Sequence, residues 1–442
     1  MTLFEIASLL KVACSVDVVL SGICIDSRQV KPGNLFVAIK GDRFDSHQFI
    51  PDVVAQGAAA IVCNRITPGI AIPQLVVPDT LQALAVIAMH HRGQIDCEAI
   101  ALTGSNGKTT VKEMIACILP APAFSTPGNL NNHIGVPLSL LQLQPPHRYA
   151  VFELGASHSG EIAYTVAMVK PQVTLINNIA PAHIEGFGSI DGVAHAKGEI
   201  HQGLAADGVA VINDDDAYAH FWDALLTNKK TLRFSAKKPA AIHARNVIFN
   251  AEGCAQFSLV TPQGEAFIQL KVPGTHNVSN ALAAAACTHA LGIGLTDIAA
   301  GLCQFTGVSG RMTFLRGKNN ALVIDDTYNA NLLSVLTALN VLSARQGVRI
   351  FVFGDMGELG SWSEQHHQDV GIAARDHGID YLMTCGAYSE TTTRAFGENA
   401  RHYPTQKALA HDLLKQLDSQ TTVLVKGSRS SAMENIVRQL VS

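Results

Sequence analysis

The sequence has little charge and no long apolar run. Only 15% of its 442 residues are Asp, Glu, Lys or Arg, and 48% are hydrophobic. A disordered or solvating chain needs the opposite balance, so the composition excludes one. Lys and Arg total 32 against 36 Asp and Glu, a formal net charge of −4. The basic excess of a general nucleic-acid binder is missing, and no nucleic-acid partner is expected. No uninterrupted apolar stretch reaches the ~18 residues that a spanning helix needs, so no membrane insertion is expected. Even the Ala-rich run at 281–287 is too short.

Metal-binding and redox cysteine pairs are also missing. The nine cysteines are scattered, and the closest two, Cys14 and Cys24, stand ten positions apart. That excludes CxxC and zinc spacings. An odd, dispersed set fits reduced thiols in a cytoplasmic protein, most of them small core residues. The N-terminus lacks the basic segment of a secretory leader, and Glu5 interrupts its apolar stretch. Thr2 and Glu5 instead stand at capping-box spacing, which predicts a short amphipathic helix over 2–12. A cytoplasmic monomer is expected.

What is present is a strand–helix rhythm that restarts twice. Strands are expected at 35–40 and 58–63, followed by a helix opened by Asp79-Thr80. After residue 97 strands are expected at 99–103, 149–154, 173–178 and 208–213, then a β-rich insertion at 234–275. From residue 321 the alternation resumes, with strands at 321–325, 349–353, 380–384 and 421–426 and a last helix over 431–440. Alternation of this kind predicts parallel sheets covered on both faces. The expected fold class is α/β, with three α/β domains: 1–97, a central P-loop-type parallel-sheet domain at 98–310, and a C-terminal Rossmann-like domain at 311–442.

The strongest motif is Thr103-Gly104-Ser105-Asn106-Gly107-Lys108-Thr109-Thr110, between a strand and a helix. Glycines let backbone N–H groups approach phosphate oxygens, and the helix N-terminus adds partial positive charge. Lys108 can reach the β- and γ-phosphates, and the Thr109 hydroxyl can ligate Mg²⁺. Leu102 occupies the place of the first Walker glycine, so the loop is a variant. A GTPase would carry Asn-Lys-x-Asp, but the lone Asn228-Lys229 pair is followed by Lys230-Thr231. ATP with Mg²⁺ is the expected ligand. Glu153, at the end of a buried strand, can hold a Mg²⁺ that bridges β- and γ-phosphates. Asn277 and Asn280 precede an Ala-rich helix. Their amides could read adenine through paired donor and acceptor groups or simply cap the helix. Gly354-Asp355-Met356-Gly357-Glu358-Leu359-Gly360 departs from the dinucleotide fingerprint. His366 and His367 are expected as diverging surface residues that do not chelate together.

The loop variant resembles that of the Mur ligases and folylpolyglutamate synthases, which form amide bonds at the expense of ATP. The resemblance extends along the chain through Asp26-Ser27-Arg28, Pro32-Gly33-Asn34-Leu35-Phe36, Thr126-Pro127-Gly128-Asn129-Leu130-Asn131-Asn132, Glu153-Leu154-Gly155-Ala156 and Asn177-Asn178-Ile179. It continues through Ala182-His183-Ile184-Glu185-Gly186, Ala196-Lys197-Gly198-Glu199, Gly274-Thr275-His276-Asn277, Gly310-Arg311, Asp325-Asp326-Thr327-Tyr328-Asn329-Ala330-Asn331 and Val425-Lys426-Gly427-Ser428-Arg429. Within the family it is nearest the type that joins D-alanyl-D-alanine to a UDP-N-acetylmuramoyl-tripeptide. Two departures are Leu332, where Pro or a small residue is usual, and His133, where an acidic residue is common.

The resemblance implies an ATP-dependent ligase of peptidoglycan precursor synthesis, with ATP and Mg²⁺ as cofactors. It implies catalytic roles for Lys108, Glu153, His183 and Lys197, with Thr109, Glu153, His183 and a carbamoylated Lys197 ligating metal. Arg311 is assigned to the ATP phosphates and Asp326 to its ribose. Ser27, Arg28, Asn131, Asn132, Tyr328 and Asn329 fall on the substrate side, with the N-terminal domain holding the UDP end. Alternatives are another Mur ligase, a folylpolyglutamate synthase-like ligase, or a nucleotide-binding regulatory module without catalysis. Neither the third residue of the tripeptide nor oligomeric state is written in the sequence.

Overall fold

A computed structural model describes residues 1–41, 44–181 and 184–441. The first helix, Leu3–Leu10, starts as expected from its capping box. The Glu5 amide donates to Thr2 Oγ1 and the Thr2 amide donates to Glu5 Oε2. Leu3, Ile6 and Ala7 are its buried face.

The chain forms two compact units. The first contains residues 1–97, 126–148 and 167–169. Its sheet has four parallel strands in the order Gly22–Cys24, Asn34–Val37, Ala60–Cys63, Gln74–Val76. Asp79 caps the helix Thr80–Gly93 by accepting from the amides of Leu81 and Gln82. Leu84 and Ile87 of that helix share a core with Leu35, Val37 and Val62, and Leu138 and Leu141 close over it. Segment 126–148 therefore packs with the N-terminal strands, although it follows the phosphate loop in sequence. The same unit buries Arg92, whose guanidinium donates to the carbonyls of Val169, Ile95 and Cys97 at 3.1, 3.0 and 2.8 Å. A buried guanidinium is tolerated here because its donors are satisfied.

The second unit contains two sheets. The first has nine strands, and Glu98–Thr103 lies between Val173–Ile176 and Tyr149–Glu153, all parallel. The stretch expected as a β-rich insertion is part of this sheet. Ile242–Phe249 pairs parallel to Lys230–Ser235, and Cys254–Thr261 and Gly264–Pro273 extend the edge antiparallel. Polar alternation marks that stretch because one of its faces meets solvent. The second sheet runs Thr313–Arg316, Leu322–Asp326, Thr421–Lys426, Val348–Phe353, Tyr381–Thr384, Ala400–His402. Only its first strand is antiparallel.

Small residues set the closest approaches. Ala281, Ala283, Ala284, Ala285 and Ala286 of the helix His276–Ala290 are fully buried against the nine-stranded sheet. Where the helix Leu295–Gln304 crosses Lys108–Ile118, a Cβ on Gly301 would stand 2.6 Å from Cys117 O and Ile118 Cα.

His366 and His367 are both buried, which corrects the expectation of surface residues. His367 Nδ1 donates to Ser363 O at 2.6 Å, leaving Nε2 to accept from the Met356 amide at 3.0 Å. The ring ties the helix Ser363–Asp376 to the preceding loop, a use that helical spacing alone does not reveal.

His201 is buried against Thr174, with Nδ1 and Thr174 Oγ1 2.9 Å apart, and burial lowers its pKa to about 4. An unfolded imidazole protonates near 6.5. The folded state therefore keeps a neutral ring that the unfolded state charges, and this contribution is complete above pH 6.5 and lost as pH falls toward 4. Urea unfolding should show the loss between those values, on the order of 3 kcal/mol at most, and His201→Gln should flatten it. An equally steep pH dependence in the variant would contradict this account. Gly301→Ala should cost about 1–3 kcal/mol by forcing two helix backbones apart, read as a thermal midpoint lower by several degrees. An unchanged midpoint would show that the crossing has slack.

Candidate active site

Strand Glu98–Thr103 ends in the loop at 104–107, and the helix Lys108–Ile118 begins directly after it. Gly107 is left-handed at φ 77°, and a Cβ there would lie 2.6 Å from both Asn177 Nδ2 and Asn280 Oδ1. Backbone conformation and crowding from beneath thus both require glycine.

An array of asparagines builds that floor. Asn177 and Asn178 follow the neighbouring strand Val173–Ile176. Their Nδ2 atoms donate to the Asn106 carbonyl at 2.9 and 3.0 Å, and Asn178 Oδ1 accepts from the Asn106 amide at 2.8 Å. Asn213 donates to the Asn177 carbonyl. Ser105 Oγ donates to the Ala180 carbonyl. Asn280 accepts from Asn177 and donates to Asn277 Oδ1, and Asn277 Nδ2 donates to the Pro273 carbonyl. Both were candidates for reading adenine. Here both are buried, and Asn280 reaches the floor of the loop through Asn177. In the sequence, Asn177-Asn178 stands out only as part of a segment shared with the family. Its sequence signal is two adjacent amides just beyond a strand expected beside the phosphate-loop strand.

Lys108 folds back over the loop and donates to Gly104 O at 2.7 Å. Burial lowers its pKa, Glu153 opposes that shift, and Arg311 adds to it. Thr110 lies in the same first helical turn. Thr109 Oγ1 donates to Glu153 Oε2 at 2.7 Å and accepts from Arg311 Nη2 at 2.8 Å. Glu153 is 2% exposed. The Arg311 guanidinium also lies over the Tyr328 ring, 4.1 Å from its centroid. Two residues 202 positions apart thus meet through one hydroxyl.

Lys197 is 1% exposed on the helix Ile190–Gly198. Burial, with the Lys108 ammonium adding to it, holds its pKa well below the usual lysine range. The helix is anchored on both sides of it. Trp222 Nε1 donates to Ala194 O at 3.1 Å and packs on Gly198, while the Glu199 carboxylate accepts from the amides of Gly160 and Ala163.

Asp326 accepts from the Met312 amide and from the ammonium of Lys426, which also donates to Asn329 O at 3.0 Å. Lys426 was not singled out in the sequence, where only a family segment contains it. Tyr328 lies beneath Arg311, and the Asn329 side chain is exposed. Next to them, Asn331 Nδ2 donates to Asn106 Oδ1 at 2.7 Å.

Ser27, Arg28, Asn131 and Asn132 belong to the N-terminal unit. Arg28 is exposed and forms a two-pronged pair with Asp26, which lowers the Asp26 pKa to about 2. Asn132 Oδ1 accepts from the amides of Ile134 and Gly135 at the start of the helix Gly135–Leu140. His183 lies outside the described residues. Among those described, no group of three or more His, Cys, Asp or Glu side chains could hold a metal by itself.

Three family models match this chain: the Mur ligase family catalytic domain over 19–92, the Mur ligase middle domain over 102–288, and the Mur ligase glutamate ligase domain over 310–429. A UDP-N-acetylmuramoyl-tripeptide–D-alanyl-D-alanine ligase from Escherichia coli strain K12 is 44% identical over 96% of this chain and 94% of its own length. The crystal structure of MurF from Acinetobacter baumannii superposes with a TM-score of 0.92 at 37% identity, covering 99% of this chain and 98% of that one. MurF from Thermotoga maritima in complex with ADP gives a TM-score of 0.83 at 26% identity, covering 95% and 96%. With the phosphate loop, its acidic partner and the buried lysine already in place, these likenesses show that the chain belongs to the Mur ligase family, among its MurF-type ligases.

Proposed function

We propose that this chain joins D-alanyl-D-alanine to a UDP-N-acetylmuramoyl-tripeptide at the expense of ATP, in the synthesis of peptidoglycan precursor. The observation that carries the reading is the Thr109 hydroxyl, held between Glu153 and Arg311 at the end of a phosphate loop. A carboxylate is a poor acyl donor, because oxide or hydroxide would have to leave. Transfer of the ATP γ-phosphoryl group to the tripeptide's terminal carboxylate gives an acyl phosphate and ADP. The free amine of the dipeptide then adds to the acyl carbon, and phosphate departs as the tetrahedral adduct collapses.

The protein's part is to place anions and balance their charge. Lys108 and the amides of 104–107 face the phosphates, with Thr110 in the following turn. Arg311 reaches the same place from the second sheet, and Asp326 is the proposed partner of the ribose. Residues 98–310 supply the ATP-binding part and 311–442 the ligase part. Residues 1–97, through Ser27 and Arg28, hold the UDP end, with Asn131, Asn132, Tyr328 and Asn329 toward the peptide.

The donors fit Mg²⁺. The Thr109 hydroxyl and the Glu153 carboxylate are hard oxygen ligands 2.7 Å apart. A metal that draws its other ligands from phosphates and water needs no all-protein cage. Thr109 and Glu153, with Lys197 as its carbamate and His183, would hold the ion, which supplies charge neutralisation to the phosphates. We place the reaction in the cytoplasm, and no helix among the described residues is long and apolar enough to cross a membrane.

ADP and phosphate should appear only when nucleotide peptide and dipeptide are both supplied, as a coupled ADP-release assay would read. AMP and pyrophosphate as products would exclude the acyl phosphate. Lys197→Ala should abolish most turnover while ATP still binds through Lys108. Lys197→Arg should not restore turnover, because a guanidinium cannot become an anionic carbamate. Near-normal turnover in the arginine variant would show that Lys197 acts as a simple positive charge.

A further inference from the structure

Asn331 uses the two ends of one amide for two different contacts. Its Oδ1 accepts from the Ser334 amide at 2.9 Å and caps the helix Leu332–Ser343, while the Asn331 amide donates to Ser334 Oγ. Its Nδ2 donates to Asn106 Oδ1 at 2.7 Å. A carboxamide has one accepting and one donating end, so a partner that occupies the oxygen decides where the NH₂ group points. The main chain of Asn106 is already fixed by Asn177 and Asn178 on both its amide and its carbonyl. The remaining freedom of Asn106 is the turn of its side-chain amide, and Asn331 settles it. The consequence is a buried Asn106 Nδ2 with no protein partner, on the loop that receives the phosphates. Buried donors are seldom left unmade without a function.

We infer that Asn331 is a positioning residue for phosphoryl transfer: it orients the Asn106 amide so that Nδ2 is presented as a donor to a phosphoryl oxygen. The inference rests on the function proposed above and adds a residue that acts through another. Neither charge nor metal chemistry is required of Asn331. Its contribution is to prevent the amide from turning over and offering an oxygen to an anion.

The two contacts can be separated by substitution. Asp caps a helix as well as Asn does, and its charge suits a helix N-terminus. Asn331→Asp therefore keeps the cap and loses the donor, and its new oxygen repels Asn106 Oδ1. The expected result in the ADP-release assay is a roughly tenfold fall in kcat, the scale of one hydrogen bond to a charged group. The KM for the nucleotide peptide and the thermal midpoint should not change. Asn331→Ser, which caps but cannot reach Asn106, should fall less because it adds no repulsion. Asn106→Ala should fall about as far as Asn331→Asp. In the Asn106→Ala background, Asn331→Asp should lower kcat no further, since residues acting as a unit are not additive. Wild-type kcat in Asn331→Asp, or full additivity in the double variant, would overturn the inference. Wild-type protein that releases no ADP would overturn the functional proposal, and this inference with it. Normal wild-type turnover beside an unaffected Asn331→Asp would overturn this inference alone.

Discussion

A single hydroxyl connects the two sheets of the larger unit at the place where chemistry is proposed. Thr109 Oγ1 gives its hydrogen to Glu153 and takes one from Arg311. A hydroxyl has one hydrogen to give, so the direction of each bond is set by the acid on one side and the guanidinium on the other. Glu153 ends one parallel strand, Thr109 opens a helix, and Arg311 precedes the strand Thr313–Arg316 of the second sheet. Each part can be correct on its own and the site still fail unless these three ends converge.

Small residues and amides set the backbone positions from which these ends converge. The alanine-lined helix His276–Ala290 lies close enough to the nine-stranded sheet for Asn280 to touch the underside of Gly107. Bulkier side chains on that face would lift the helix and draw Asn280 away from Asn177. The asparagine floor then fixes the loop with neutral groups. The positive features beside that neutral floor are Lys108, Arg311 and the helix N-terminus.

Features written within a few residues of each other were legible in the sequence. The Thr2–Glu5 capping box, the Asp79 cap and the strand–loop–helix around 104–108 follow from adjacent side chains and their spacing. What escaped depends on neighbours in space. The Lys426–Asp326 pair spans 100 positions, and it forms because the last strand inserts next to Leu322–Asp326. Asn277 and Asn280 carry the chemistry that a base would need, and spacing alone does not show that they also bond each other, Asn177 and the Pro273 carbonyl. The polar stretch at 234–275 reads as a β-rich insertion because its strands face solvent on one side, and hydrogen bonding makes it the edge of the central sheet.

The path of the chain has a consequence for modularity. Segment 126–148 leaves the phosphate-loop region and covers Leu84 and Ile87 with Leu138 and Leu141 before returning. A fragment ending at residue 97 would therefore expose apolar surface that the intact chain hides, despite carrying all four strands of its sheet. The N-terminal unit is not a detachable cassette. Exchanging it between related ligases would mean moving two stretches of sequence together, and recombination within 126–148 would damage a core far away in the alignment of strands and helices.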